Sequence, residues 1–142
     1  MRILVVDDEE PIRTFLLRLL RMHDYGVDMA GDGAEALDRL ERQRYDLMLL
    51  DRNMPRISGV DVLASVRSSS RFDDLPIIMV TCASFIKEID EAFISGADGF
   101  VIKPFDPGKL LAKVKLTLMT GRIPRPERRQ QDEFRALYPP GA

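Results

Sequence analysis

Y-D-L-M-L-L-D-R-N-M-P (residues 45–55) is the stretch on which the fold turns. Leu47, Met48, Leu49 and Leu50 form a continuous apolar run, as a strand buried on both faces requires, and the run stops at one carboxylate, Asp51. Arg52, Asn53 and Pro55 break the pattern at once, which predicts a strand-to-loop corner with Asp51 held from below and open above. On this stretch alone a polar residue closing a strand needs no function. Residues elsewhere reverse that preference.

Upstream, residues 3–6 are a short β-branched run that ends at Asp7-Asp8-Glu9-Glu10, and Pro11 can occupy the first turn of a helix without losing a hydrogen bond. Ile12, Phe15, Leu16, Leu19 and Leu20 then give one apolar helical stripe. A second strand is expected at 27–30, and Asp32 followed by Glu35 reads as the cap of a helix running to about residue 42. Downstream, Ser58 is placed to cap a helix carrying Val62, Leu63 and Val66. Residues 76–81 read as a fourth strand, 86–95 as a helix closing at Gly96, and 97–102 as a fifth strand ending at Lys103-Pro104. Asp106-Pro107 opens a last helix with Leu110, Leu111, Val114 and Leu118 on one side.

Apolar strands alternating with helices predict a five-stranded parallel sheet covered on both faces, a doubly wound α/β fold with five helices. Such sheets place their site outside the carboxyl ends of the strands. The residues at those ends are Asp7-Asp8, Asp51, Thr81 and Lys103, each polar after an apolar run. Three carboxylates, a hydroxyl and an amine therefore meet on one rim.

Composition narrows what that rim can hold. The 142 residues are 45% hydrophobic and 31% charged with net charge −2, which fits one domain, and no apolar run is long enough to cross a membrane. No small-residue cleavage site follows residues 1–6, so a cytoplasmic location is expected. One cysteine, Cys82, excludes an internal disulfide framework, and one histidine, His23, leaves too few soft ligands for zinc. A metal here must be held by oxygen, and Mg²⁺ is the expected ion, with Asp8, Asp51 and the carbonyl near Asn53 as ligands and Asp7 assisting. Crowded acids favour such an ion, and Lys103 adds positive charge, so the expected anion is phosphoryl. A carboxylate oxygen such as that of Asp51 can attack phosphorus to give an aspartyl phosphate. Asp7-Asp8, Thr81 and Lys103-Pro104 each have a plainer explanation alone, but their joint placement at four strand ends favours function.

The motifs V-D-D-E-E-P (6–11), L-L-D-R-N-M-P (49–55), Gly59, M-V-T-C-A (79–83), G-A-D-G-F (96–100) and K-P-F (103–105) occur in an order and spacing that resembles the receiver domain of two-component response regulators. The resemblance covers roughly residues 1–120. It implies a flavodoxin-like fold with strand order 2-1-3-4-5, Asp51 as phosphoacceptor, and Asp7, Asp8, Asp51 and Asn53 around Mg²⁺. It also implies Thr81 as the switch hydroxyl, Lys103 as its ion-pairing companion, Phe100 as an aromatic rotor and a cis Lys103-Pro104 bond. The implied donor is a sensor histidine kinase or histidine phosphotransfer protein. The output is a population shift in the surface around the fourth helix, fifth strand and last helix, read by a protein partner.

Departures from the family pattern concern access to the site. Cys82 stands where a very small residue is usual, and Ala83 has no polar group to steer a water, so slow dephosphorylation is expected. Phe100 lacks the hydroxyl of a Tyr rotor. Residues 121–142 form a tail with Pro124, Pro126 and five Arg from residue 122 onward against three acids, leaving residues 1–121 with 16 positive and 20 negative charges. The tail is expected to be disordered or to form a short docked helix over 127–138 displaying Phe134, Leu137 and Tyr138. No helix-turn-helix follows, so no direct DNA binding is expected, and the chain is expected as a monomer or weak homodimer. An Mg²⁺-dependent phosphatase working through an aspartyl phosphate is the competing class. Such an enzyme needs a second acid two residues after its nucleophile, where this chain has Asn53. A flavin-binding domain is weaker still, lacking a Ser/Thr/Gly-rich phosphate loop after the first strand. A stand-alone phospho-accepting signalling module of the chemotaxis or phosphorelay type is the preferred reading.

Overall fold

The computed structural model describes residues 1–82 and 96–122. The expected helix over 86–95, Ala83 and the expected tail helix over 127–138 lie outside the described residues. In chain order the elements are β1 (Arg2–Val6), α1 (Glu10–Arg21), β2 (Gly26–Ala30), α2 (Gly33–Arg42), β3 (Leu47–Asp51), α3 (Gly59–Arg67), a 3-10 turn (Ser70–Phe72), β4 (Ile77–Cys82), β5 (Gly99–Lys103) and α4 (Pro107–Thr120). The strands form one parallel sheet of order β2-β1-β3-β4-β5. That is the expected topology.

Alternation along each strand builds two cores. Leu4, Val6, Met48, Leu50, Ile77 and Met79 point to one face, which Ala36 and Leu40 of α2 and Val62, Leu63 and Val66 of α3 cover. Ile3, Val5, Leu47, Leu49 and Ile78 point to the other, under Leu16 and Leu20 of α1 and Leu110 and Val114 of α4. All five residues of β3 are buried, so the central strand is apolar on both sides until Asp51. Each such side chain contributes roughly 1.5–3 kcal/mol of burial.

The helices start where their caps permit. The Asp32 side chain accepts from the Glu35 amide at 2.8 Å while Glu35 accepts from the Gly31 amide at 3.0 Å, a reciprocal pair at the start of α2. Ser58 accepts from the Asp61 amide at 3.2 Å and Asp106 from the Lys109 amide at 3.1 Å. Among the described residues no helix is long and apolar enough to cross a membrane.

At the end of the sheet remote from Asp51, one buried acid ties four segments together. Asp98, just before β5, takes the Nη2 of Arg67 at 2.9 Å and the Ile77 amide at 2.9 Å on one carboxylate oxygen. Its other oxygen takes the Nε of Arg122 at 3.0 Å. Arg67 also donates to the carbonyls of Phe72, Leu75 and Gly96, and Arg122 donates to that of Asp73. Burial, with the neighbouring Arg122 charge, pushes the Arg67 guanidinium down to about 10 against the pull of Asp98. Arg67 remains charged at neutral pH, and Arg122, bonded to Asp98 and to the Asp73 carbonyl, holds the residues that follow α4 to the domain.

Candidate functional site

Parallel strands end together, so the sheet itself brings Asp7, Asp51, Thr81 and Lys103 to one rim. β1 pairs with β3 in a register matching Val6 to Leu50, which sets the next residues, Asp7 and Asp51, side by side. Carboxylate oxygens of Asp7, Asp8 and Asp51 lie within 4.8 Å of one another. Asp7 and Asp51 are buried, whereas Asp8 is exposed and opens the cluster to solvent. An all-oxygen set of this spacing is what a hard divalent cation requires, so the residues present fit Mg²⁺.

Two donors fix Asp7. Its Oδ1 accepts from the Glu9 amide at 2.9 Å and its Oδ2 from the Nζ of Lys103 at 2.8 Å. The Asp7 carbonyl accepts from Arg13 Nη1 at 2.8 Å. Asp51 is less well satisfied: its Oδ1 accepts from the Asn53 amide at 3.3 Å and lies 3.5 Å from Lys103 Nζ. Burial and the adjacent Asp7 charge raise the Asp51 carboxyl to about 7, against the pull of Lys103 and the Asn53 amide. For Lys103 burial alone would lower the ammonium, but the hydrogen bond to Asp7 and the charges of Asp51 and Asp7 outweigh it and leave it raised. The site is thus a pair of buried acids with one shared cation, and it gains from further positive charge.

The remaining predicted residues are distributed as follows. Thr81 is buried, and its Oγ1 has no hydrogen-bond partner among the described residues. Cys82 closes β4 opposite Lys103 and is half-buried. Phe100 lies opposite Met79 and packs half-buried against the core on the α2–α3 face. Asn53 is exposed, and its side chain accepts from Arg52 at 3.3 Å. The Lys103-Pro104 bond is cis, as expected. His23 is exposed after the end of α1, away from these groups.

Three contributors were not assigned from sequence. The Glu9 amide and Arg13 both act on Asp7, and only the Glu-Pro helix start hints at either. Gly59 is the third: a Cβ there would overlap the Asp51 carbonyl oxygen and come within 2.8 Å of Arg52 Cα. The loop after β3 folds directly onto the backbone of its acid, and a side chain at the first position of α3 would block it. Ser58-Gly59 at a helix start is the one sequence sign of this close approach.

The fold and the rim define a receiver type of signalling domain, and comparison with known proteins agrees. The model of the response regulator receiver domain matches residues 3–115, and the chain belongs to that family. Among its relatives, response regulator MprA of Mycobacterium leprae (strain TN) is 41% identical over 118 residues, which are 83% of this chain and 51% of that protein. The chain therefore spans about half the length of the mycobacterial relatives it matches. Among solved structures, chemotaxis protein CheY4 of Vibrio cholerae aligns with a TM-score of 0.76 and 34% identity over 80% of this chain and 95% of its own. Response regulator TrrA of Thermotoga maritima, solved in complex with Mg²⁺-BeF, aligns at 0.71 and 38% identity over 80% of this chain and 96% of its own.

Proposed function

We propose that this chain accepts a phosphoryl group on Asp51 from a phosphohistidine of a sensor kinase or histidine phosphotransfer protein, with Mg²⁺, and passes the change to a protein partner. The observation that carries this reading is the meeting of Asp7, Asp8 and Asp51 within 4.8 Å, with Lys103 3.5 Å from Asp51. In this reading residues 1–120 are the receiver, residues 121–142 lie beyond it, and the protein works in the cytoplasm.

An Asp51 oxygen forms the bond to phosphorus as the donor's N–P bond breaks, and the electron pair leaves with the imidazole, which takes a proton. The acceptor must be ionised to attack. Asp7, Asp8, Asp51 and the Asn53 carbonyl would hold Mg²⁺, which would supply positive charge for the developing phosphoryl oxygens. Lys103 lies beside Asp51 and can follow the new charge once Asp7 has another partner. The Asn53 amide orients the acceptor oxygen, and Gly59 keeps the loop closed beneath it. The Thr81 hydroxyl, without a partner among the described residues, gains one if it turns toward the phosphoryl group, which would favour the switched surface around residues 83–95, β5 and α4. Cys82, with Ala83, would limit access of water and slow dephosphorylation.

The test is intact mass after incubation with Mg²⁺ and acetyl phosphate, beside Asp51→Asn. A gain of one phosphoryl that disappears in the variant and without Mg²⁺ is expected. A gain that survives in Asp51→Asn would move the acceptor elsewhere and refute the assignment.

A further inference from the structure

At the opposite end of the sheet from Asp51, a cleft of about 450 Å³ opens between the ends of α2 and α4 and the loops that enter β3 and β4. Leu40, Tyr45, Phe72, Leu75 and Pro76 supply its apolar part. Arg44 and Asp74 stand on its walls, and neither forms an ion pair among the described residues. A mixed lining of this size suits an amphipathic occupant.

The course of the chain points to which one. Leu118 and Gly121 line the cleft themselves, so the residues that follow α4 leave from its wall. Arg122 is held in place by Asp98 at 3.0 Å and by the carbonyl of Asp73, between Phe72 and Asp74 of the cleft. The departure point of residues 123–142 is therefore fixed beside the opening. Their sequence carries Phe134, Leu137 and Tyr138 at helical spacing, preceded by Asp132 and Glu133. Apolar side chains and acids together match Leu40, Phe72 and Leu75 on one hand and Arg44 on the other.

We propose that residues 127–138 of this chain dock in that cleft as an amphipathic segment, with Phe134 and Leu137 against Phe72, Leu75 and Leu40 and with Asp132-Glu133 facing Arg44. Docking there covers the pole of the domain remote from Asp51 and leaves the phospho-acceptor rim open. Phosphoryl uptake and tail docking are then separable properties.

Amide spectra and hydrogen exchange of the full chain test this, comparing wild type with Phe134→Ala/Leu137→Ala, Arg44→Glu, and Arg44→Glu/Asp132→Arg. The double alanine variant and Arg44→Glu should each speed exchange of residues 127–138 by about tenfold. The alanine pair should also shift the amides of 40–46 and 70–76, and Asp132→Arg should restore protection to Arg44→Glu. Phosphoryl uptake from acetyl phosphate should not change. Shifts confined to the tail, or no protected amides there in wild type, would overturn the proposal. Protection that falls on dilution together with a doubled solution mass would also overturn it, by making the occupant the tail of a second copy.

Discussion

The Nζ of Lys103 lies 2.8 Å from Oδ2 of Asp7, a pair formed across 96 positions of sequence and almost wholly buried on the acid's side. The same ammonium stands 3.5 Å from Asp51. One cation thus serves two buried carboxylates, and the balance at the rim depends on it.

Replacing Lys103 by Met leaves both acids without that cation. Stability should fall by about 3 kcal/mol in the absence of divalent metal, the usual scale for breaking a buried ion pair. Added Mg²⁺ should recover more stability in Lys103→Met than in wild type, because it replaces the missing charge. Phosphoryl uptake should drop on the order of 100-fold even with Mg²⁺. Urea unfolding with EDTA or Mg²⁺, beside timed intact-mass measurements, checks both; equal Mg²⁺ stabilisation of the two proteins would count against shared neutralisation.

Asp51 holds its proton more tightly in the folded chain, near 7, than the ordinary 3.8 of an unfolded one. Its contribution to stability is therefore complete below about pH 3.8 and is lost as pH rises through about 7. Above that range the ionised acid opposes folding. In metal-free protein, Asp51→Asn should accordingly be more stable than wild type by on the order of 2–4 kcal/mol near pH 8. The difference should shrink toward pH 4, roughly the unfolded value. A difference that grows on acidification, read by denaturant unfolding in EDTA, would contradict the assignment of cause.

Thr81 presents the reverse case, a buried hydroxyl with no hydrogen-bond partner among the described residues. Thr81→Val keeps the shape and removes the unsatisfied group, so the resting chain should gain about 1 kcal/mol. Phosphoryl uptake should persist while the change in amide spectrum on phosphorylation diminishes. Loss of stability in the valine variant would mean that the hydroxyl is already satisfied.

Asp98 should be the most costly of the polar residues to remove. Asp98→Ala leaves two guanidiniums, each about one-tenth exposed, without their carboxylate, and should cost about 3–5 kcal/mol. Arg122→Ala leaves the Arg67 pair intact and should cost about 1–2 kcal/mol. Chemical unfolding of the two variants side by side gives the ranking, and the reverse order would refute it.

The sheet was legible because each strand is an apolar run and each run stops at a polar residue. The same stops mark the rim, which is why Asp7, Asp51, Thr81 and Lys103 group together from the sequence alone. Strand ends differ by a residue or two where pairing, not composition, decides: Cys82 joins β4 because it lies opposite Lys103. The fifth strand starts at Gly99, not Ala97, because the Ile77 amide of β4 goes to the Asp98 carboxylate and pairing begins at Ile78 opposite Gly99. The Asp98 junction itself was not legible. Arg67 reads as a basic residue ending a helix, Arg122 as the first of a basic tail, and Asp98 as part of the fifth strand, and nothing local joins positions 24 and 31 apart. The 3-10 turn at Ser70–Phe72 was hidden likewise, since S-S-S-R-F carries neither a helical nor a strand period.

That junction also has a bearing on how the chain is made. During synthesis at about 5–20 residues per second, Arg122 follows Asp98 by roughly 1–5 s. Throughout that interval the nascent domain can satisfy only one side of the Asp98 carboxylate, with Arg67 already in hand and the second arginine still to come. Until Arg122 is in place the junction rests on Arg67 alone, and Arg122 is the latch that closes its second side.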